Sequence, residues 1–108
     1  MNTHDLKTWP EPFAALWSGA KRAEFRKTDR PFAVGDLLRL REWSPVERDR
    51  WVAAWTGRGL PHVEDAANAR AYTGRSILAR VTDITTGFGI PQGYAMLSIE
   101  EVERHEYE

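Results

Sequence analysis

Alternation of apolar and polar residues is the most regular pattern along the chain, and it is typical of strands whose two faces meet different surroundings. Between residues 21 and 27, Ala23 and Phe25 share one face, whereas Glu24 and Arg26 share the other. Because turns rich in Gly and Pro separate such segments, the pattern predicts about five strands. They cover residues 4–8, 21–27, 37–43, 76–85 and 94–99.

A helical period follows the first strand directly. Phe13, Leu16 and Trp17 recur at i, i+3 and i+4 after a first turn that contains prolines, which predicts a helix with one apolar face. Near the end of the chain, Ser98-x-x-Glu101 matches a capping box and predicts a further helical turn or two.

The segment of residues 44–71 is predicted to be a helical insertion. Ser44 precedes a proline and stands three residues before a glutamate, as at a helix start, and residues 66–71 fit a second short helix. Trp51 and Trp55 lie one helical turn apart. They either complete the core or form a surface through which two copies of the chain associate as a homodimer.

Five strands, one N-terminal helix and this insertion within 108 residues indicate a single α+β domain over residues 1–108. Such a chain buries one small core and is too short for a Rossmann enzyme or a TIM barrel. Closing or half-closing the sheet limits unpaired strand edges. We therefore predict a small mixed β-barrel of five to six strands with the helix across one end.

Composition excludes several classes of site. The chain has no cysteine, which rules out disulfides, thiolate metal sites and cysteine nucleophiles. His4, His62 and His105 lie far apart and lack the spacing of metal ligands. Since no cofactor motif appears either, we expect no metal and no cofactor. The N-terminus lacks an apolar targeting segment, and no run approaches about 18 apolar residues, so we expect a cytoplasmic protein without a membrane partner.

Charge is placed unevenly, although the formal net charge is only −1. Residues 1–80 carry 14 Lys/Arg and 10 Asp/Glu, whereas residues 81–108 carry one and six. The overall balance excludes a clamp that holds nucleic acid by bulk charge, but it allows a basic working face. Twelve of the 15 cations are arginine, whose planar donors suit phosphates and base edges. A solvated, arginine-rich surface is the alternative.

The densest group of charged residues is Gly19-x-Lys21-x-x-Glu24-x-Arg26. Gly19 allows backbone to approach a ligand closely. A carboxylate such as Glu24 beside a guanidinium stays ionised and accepts hydrogen bonds from a nucleobase edge or from water. Lys21, crowded by other cations, is a candidate base or nucleophile. The competing interpretation is an exposed strand with cross-strand ion pairs.

Three further positions are candidates. The segment of residues 72–75, Tyr-Thr-Gly-Arg, either brings Arg75 to a phosphate or is simply a tight turn. Glu42 and Asp83 are in phase with apolar neighbours along their strands. That phase places each acid either at the mouth of a barrel or against a loop amide.

The order of these motifs can be compared with known families. The motifs that carry a family resemblance are, in chain order, His4-x-Leu6-Lys7, Phe13, Gly19-x-Lys21-x-x-Glu24-x-Arg26-Lys27-x-Asp29-Arg30-x-Phe32-x-Val34-Gly35-Asp36, Glu42, Tyr72-Thr73-Gly74-Arg75 and Gly93-Tyr94-x-x-Leu97. This order resembles a short domain-of-unknown-function branch, frequent in phages and bacteria, of the ASCH group in the PUA-like superfamily. The resemblance covers residues 4–43 and 72–99; the segment between them is longer than usual for the branch.

The resemblance implies a small β-barrel with a cleft between barrel and helix, and RNA binding. Some relatives remove the acetyl group of N(4)-acetylcytidine, and others are reported as ribonucleases. In the amidohydrolase relatives, a threonine follows the motif lysine by three residues. Lys21 matches that lysine, but Glu24 stands in place of the threonine, so the hydroxyl nucleophile is missing. Thr28 and Thr73 are candidate substitutes.

We therefore predict a domain that binds RNA, or a single-stranded or modified nucleotide, in the cleft. Lys21 and Arg26 would contact phosphate or a base carbonyl, and Glu24 would accept from an exocyclic amine or orient Lys21. The rest of the predicted site is a cationic rim and a stacking ring: Lys7, Arg30, Arg75 and Tyr94. The alternative is a metal-independent hydrolase of a modified nucleoside or of RNA, with Lys21 as base and Glu24 polarising water. A third interpretation is a protein-interaction module that uses Trp51 and Trp55.

Overall fold

The computed structural model describes residues 1–59 and 62–106. Over these residues the chain forms five strands and three helices. The elements are β1 (Thr3–Thr8), α1 (Pro10–Trp17), β2 (Ala23–Lys27), β3 (Leu37–Trp43), α2 (Pro45–Thr56), α3 (Val63–Arg70), β4 (Tyr72–Thr85) and β5 (Tyr94–His105).

All five strands form one mixed sheet in the order β1-β3-β4-β5-β2. β1 runs parallel to β3, and the other neighbours are antiparallel. The sheet curls into a half-barrel, so the two edge strands approach each other. Side chains bridge that gap: Arg26 donates to the carbonyl of Lys7 at 3.0 Å, and Arg30 donates to the carbonyl of Asp5 at 3.2 Å. The predicted α+β class with a mixed five-stranded sheet is confirmed, with the barrel half-open.

The core lies between the inner face of the sheet and α1. Exposed and buried residues alternate along the whole of β1, while Phe13 and Leu16 are the buried residues of α1. Burying each such side chain is worth about 1.5–3 kcal/mol, which fixes α1 against the sheet. The buried cluster consists of Leu6, Phe13, Leu16, Leu38, Leu40, Ile77, Ala79, Val81, Ala95 and Leu97.

The two helices that follow β3 lie outside this core. Ser44 caps α2 as its sequence indicates, since its hydroxyl accepts from the backbone N–H of Glu47 at 3.1 Å. α3 begins at Val63, earlier than the pattern predicts. Trp51 and Trp55 are half-buried against each other, with ring centroids 4.8 Å apart, and neither belongs to the core cluster. Among the described residues, no helix is both long and apolar enough to cross a membrane.

The end of the chain differs from the prediction. The helical turn expected at Ser98-x-x-Glu101 is wrong, because β5 continues to His105. Residues of β4 pair with this extension, for example Arg80 with Glu100. A local capping signal is worth about 1 kcal/mol, and the continuous ladder with β4 outweighs it.

Asp36 fastens the beginning of β1 to the loop before β3. Its carboxylate accepts from the backbone N–H of Asn2 at 3.0 Å, from Nε2 of His4 at 2.9 Å and from the backbone N–H of Ala33 at 3.0 Å. These bonds, that of Asn2 first, lower the pKa of Asp36 to about 2. The anchor holds the edge strand that borders the site described next.

Candidate functional site

The polar face of β2 points inward and its apolar face points outward. Cross-strand register sets this orientation, because residues directly opposite in a ladder share a face. Glu24 pairs with Leu97 and Arg26 with Ala95, and both partners are buried core residues. Glu24 is accordingly only 3% exposed, whereas Phe25 is 44% exposed. The interpretation of β2 as an exposed strand with surface ion pairs is therefore wrong for Glu24.

The buried carboxylate of Glu24 lies between two cations. Its Oε2 accepts from Nε of Arg26 at 2.9 Å, and its Oε1 lies 3.5 Å from Nζ of Lys21. Oε1 is buried and accepts no hydrogen bond from any residue that the structure describes. A buried, charged acceptor without a hydrogen bond is costly, so this oxygen is available to a donor that enters from outside.

Arg26 is held on both sides of the gap between the edge strands. Besides Glu24, its guanidinium donates to the carbonyl of Lys7 at 3.0 Å and to Oγ1 of Thr8 at 3.3 Å. Lys21 is fixed differently, through its backbone N–H, which donates to the carbonyl of Ala15 in α1 at 3.1 Å. Its side chain remains about one-third exposed. Arg26 is thus committed to protein acceptors, while Lys21 offers its charge to solvent.

These side chains border a cleft of about 310 Å³ between the start of α1 and β2. Its volume lies at the lower end of small-ligand sites. Four of its residues were not predicted from the sequence: Thr8, Trp9, Pro12 and Phe25. Thr8 is in phase with the buried face of β1, and Trp9 is 54% exposed beside the prolines that open α1. The cleft is lined by Lys7, Thr8, Trp9, Pro12, Lys21, Glu24, Phe25 and Arg26.

Arg75 belongs to a second charged group. Its guanidinium makes two bonds to Glu42, Nε to Oε1 at 3.0 Å and Nη2 to Oε2 at 2.9 Å, and Thr73 donates to Oε1 at 2.7 Å. Burial raises the pKa of Glu42, but the hydrogen bonds from Arg75 and Thr73 outweigh it, so this pKa lies below its ordinary value. The bond to Glu42 also raises the pKa of Arg75.

The Arg75 group and the cleft are neighbours but not one site. Glu42 is opposite Thr8 in the β1–β3 ladder, and both face inward. Arg75 itself packs under α1, with its guanidinium 5.3 Å and 5.0 Å from the ring centroids of Phe13 and Trp17. The structure therefore brings Lys21, Glu24 and Arg26 together and leaves Arg75 outside the cleft lining.

The other predicted residues have separate surroundings. Lys7 borders the cleft, yet its amine lies 4.1 Å from the Trp43 ring centroid, on the opposite face of β1 from Thr8. Tyr94 stacks on Phe25, with ring centroids 5.2 Å apart and planes at 6°, on the outer face of the sheet. Like Arg30, whose guanidinium donates to the β1 backbone, Tyr94 lies outside the cleft lining.

The chain is similar to a described protein family and to a phage protein. The model of a family described as "Domain of unknown function (DUF3850)" matches residues 3–99. A protein of Escherichia phage P2, described as "Uncharacterized 12.9 kDa protein in GpA 3'region", is 34% identical over 82 residues. The aligned part covers 76% of this chain and 53% of the phage protein. The chain thus spans about half the length of that relative.

Proposed function

The chain belongs to the DUF3850 family, and we propose that it is a PUA-like (ASCH) domain that binds RNA, holding one single-stranded or modified nucleotide in the cleft. The observation that carries the proposal is the buried Oε1 of Glu24. It faces a small cleft beside the partly exposed side chain of Lys21. An acceptor next to a donor matches a nucleobase edge on which an exocyclic amine lies beside a ring acceptor, as in cytosine and adenine.

The surroundings of the carboxylate support a nucleotide over a neutral metabolite. Glu24 accepts from the exocyclic amine, and Lys21 contacts a ring acceptor, a base carbonyl or the phosphate. Trp9 at the rim offers an indole face on which the base stacks, and such stacking is worth about 1–3 kcal/mol. A half-barrel with a helix beside the cleft agrees with the PUA-like architecture that the motif order suggests.

Binding of short single-stranded RNA tests the proposal. Fluorescence anisotropy is measured with labelled six-nucleotide oligo(C), oligo(A) and oligo(U) at low and moderate salt, because phosphate contacts weaken as salt rises. We expect tighter binding of oligo(C) and oligo(A), whose bases carry an exocyclic amine, than of oligo(U). Glu24→Gln should abolish this preference.

A matched pair of lysine variants separates the cleft from bulk charge. Lys21→Ala should weaken binding about tenfold, the loss of one charged hydrogen bond. Lys27→Ala removes the same charge from an exposed position on β2 outside the cleft and should change binding less than about twofold. Equal losses in the two variants, or unchanged binding in Lys21→Ala, would contradict the proposal.

Thr8 favours a second candidate, hydrolysis of an acylated nucleoside. The substitutes suggested by sequence are bound elsewhere: Thr28 donates to the carbonyl of Gly93 at 3.0 Å, and Thr73 donates to Glu42. Thr8 instead presents a hydroxyl in the same cleft as Lys21 and Glu24. In this candidate, Oγ1 of Thr8 forms an ester with the acyl carbon, its proton passes by way of Lys21 or Glu24 to the departing amine, and water then cleaves the ester.

Chromatography after incubation with N(4)-acetylcytidine tests the hydrolase. Release of cytidine and acetate that disappears in Thr8→Val, while Lys27→Ala keeps it, would support it. The absence of turnover at high protein concentration would leave the binding function alone.

A further inference from the structure

A second cavity lies at the end of α1, next to Lys21. Its volume is about 240 Å³. Lys21 lines this cavity as well as the cleft. The cavity is lined by Leu16, Gly19, Lys21, Arg22, Ile77, Ala79, Ile99, Glu100, Glu101 and Arg104.

We propose that this cavity is a second base subsite, so that the ligand is a dinucleotide unit whose linking phosphate lies at Lys21. The inference rests on the proposed function, in which the cleft holds the first base. It goes further, because it specifies a minimum length of the ligand and the side on which the strand continues.

The cavity exists because α1 ends before the sheet does. α1 ends at Trp17, and the chain turns away at Gly19, which has a positive φ of 82°. The ladder between β4 and β5 continues past this point to the pair Ser76–His105. Past the end of α1 the cavity opens beside the exposed residues Glu100, Glu101 and Arg104 of β5, and Lys21 lines both this cavity and the cleft.

The chemistry of the cavity suits the face of a base. Its floor is aliphatic: Leu16, Ile77 and Ala79 are nearly fully buried there, and Ile99 is half-buried and is the most accessible of the four. An aliphatic floor accepts the face of any base through apolar contact and reads no particular hydrogen-bond edge. The second subsite should therefore tolerate all four bases, whereas the cleft with Glu24 discriminates among them.

The acidic side chains on the rim of the second cavity already have cationic partners, whereas Lys21 and Arg22, after the turn at Gly19, offer their charges to a ligand. Glu101 accepts from Arg104 at 2.7 Å, and Glu100 lies 3.4 Å from Arg80. Arg104 is held further by the carbonyl of Trp17 at 2.9 Å. A phosphate between the two cavities thus meets Lys21, with Arg22 on the rim of the second cavity. The carboxylates that line the two cavities, Glu24, Glu100 and Glu101, each have a cationic partner.

The test compares a mononucleotide with dinucleotides by isothermal titration calorimetry. Cytidine 3′-monophosphate occupies the cleft and the phosphate position, while the dinucleotides CpA and CpU add a second base. We expect both dinucleotides to bind about tenfold tighter than the mononucleotide, the contribution of one stacked base, and to within about threefold of each other.

Filling the second cavity should remove only this gain. In Ile99→Trp, an indole occupies the space, so dinucleotides and the mononucleotide should bind equally, with the mononucleotide affinity unchanged. Val102→Trp, at an exposed residue of the same strand outside the cavity lining, is the control. Glu101→Trp, on the exposed rim, provides a second filling variant if near-UV circular dichroism shows that Ile99→Trp does not fold.

The outcomes separate the two proposals. Equal affinity of the wild-type protein for mononucleotide and dinucleotides would overturn the second subsite and leave the proposed function standing. The same conclusion would follow if a folded variant with a filled cavity still bound dinucleotides more tightly than the mononucleotide. Failure of all three ligands and of the oligonucleotides to bind would overturn both.

Discussion

Arg26 provides the sharpest test of how the half-barrel is held together. Arg26→Met keeps most of the aliphatic stem but removes the guanidinium from Glu24, Lys7 and Thr8. Glu24 then remains buried, with Lys21 at 3.5 Å as its nearest cation. Removing one partner of a buried ion pair costs about 3–5 kcal/mol.

The structure places this loss at the lower end of that range. The side chain of Arg26 is 24% exposed, so water partly replaces its bonds and screens the remaining charge. We expect Arg26→Met to lower the free energy of unfolding by about 3 kcal/mol. For 108 residues the entropy of unfolding is about 0.23 kcal/mol per kelvin, so the expected loss in Tm is about 13 °C.

Equilibrium urea unfolding, followed by the fluorescence of the five tryptophans, measures the effect in a double-mutant cycle. Glu24→Met alone should cost about 1–2 kcal/mol, because Arg26 keeps its backbone acceptor and some solvent. The double variant should lower the free energy of unfolding by no more than about 2 kcal/mol, since removing both charged partners leaves no buried charge without a partner. The coupling free energy should therefore exceed about 2 kcal/mol.

The control is Arg30→Met. Arg30 also donates across the gap, to Asp5, but it is exposed, so its loss should stay within about 0.5 kcal/mol. If the Arg26 and Glu24 variants were additive to within about 0.5 kcal/mol, or if Arg26→Met cost no more than Arg30→Met, Arg26 would not be the side chain that closes the half-barrel.

Three further predictions concern groups away from the cleft. The folded pKa of Asp36 is about 2 against an ordinary 3.8, so its ionised form adds stability above about pH 4 that is lost as the pH falls toward 2. The midpoint of urea unfolding should therefore fall less steeply between pH 5 and pH 2 in Asp36→Asn than in the parent. Parallel pH profiles of the two proteins would contradict this. Arg75→Met should lower the free energy of unfolding by about 2 kcal/mol at pH 7. The loss should be smaller at pH 4, because Glu42, buried without its cation, takes up a proton there. An equal loss at both pH values would refute this account. Trp51→Ala should lower the free energy of unfolding by less than about 1.5 kcal/mol, against about 3–5 kcal/mol for Phe13→Ala in the core. A loss as large as that of Phe13→Ala would show that Trp51 is a core residue. Light scattering on the parent and on Trp51→Glu checks whether the Trp51 surface joins two copies of the chain.

Local sequence predicts the elements of this fold because caps, turns and strand alternation are short-range signals. The third strand, the start of α1 and the Ser44 cap follow from such patterns. Sequence patterns fail to predict the structure where pairing with a distant strand determines it. The capping box at Ser98-x-x-Glu101 lies within β5, because β4 offers a ladder for the whole extension. No single-strand pattern contains that information.

The candidate site shows the same limit. Alternation correctly groups Glu24 with Arg26, yet it cannot tell which face of β2 is inside; the register with Leu97 and Ala95 decides that. Thr8 carries a weaker signal, since it continues the buried phase of β1 as a polar residue at the end of the strand. A polar residue in a buried phase at a strand end is the pattern that could have identified it.

The geometry divides the charged residues of the motif by task. Arg26 donates its hydrogen bonds to Glu24 and to β1. These bonds link the two edge strands across the gap of the half-barrel and orient the carboxylate. Lys21 is held less firmly: its amine lies 3.5 Å from Glu24, and its side chain is partly exposed and lines both cavities. Loss of Arg26 must therefore impair folding and binding together, whereas loss of Lys21 must impair binding with little effect on stability. The ratio of these two effects distinguishes a built ligand site from a merely charged edge of the sheet, because at such an edge both residues would behave as exposed cations.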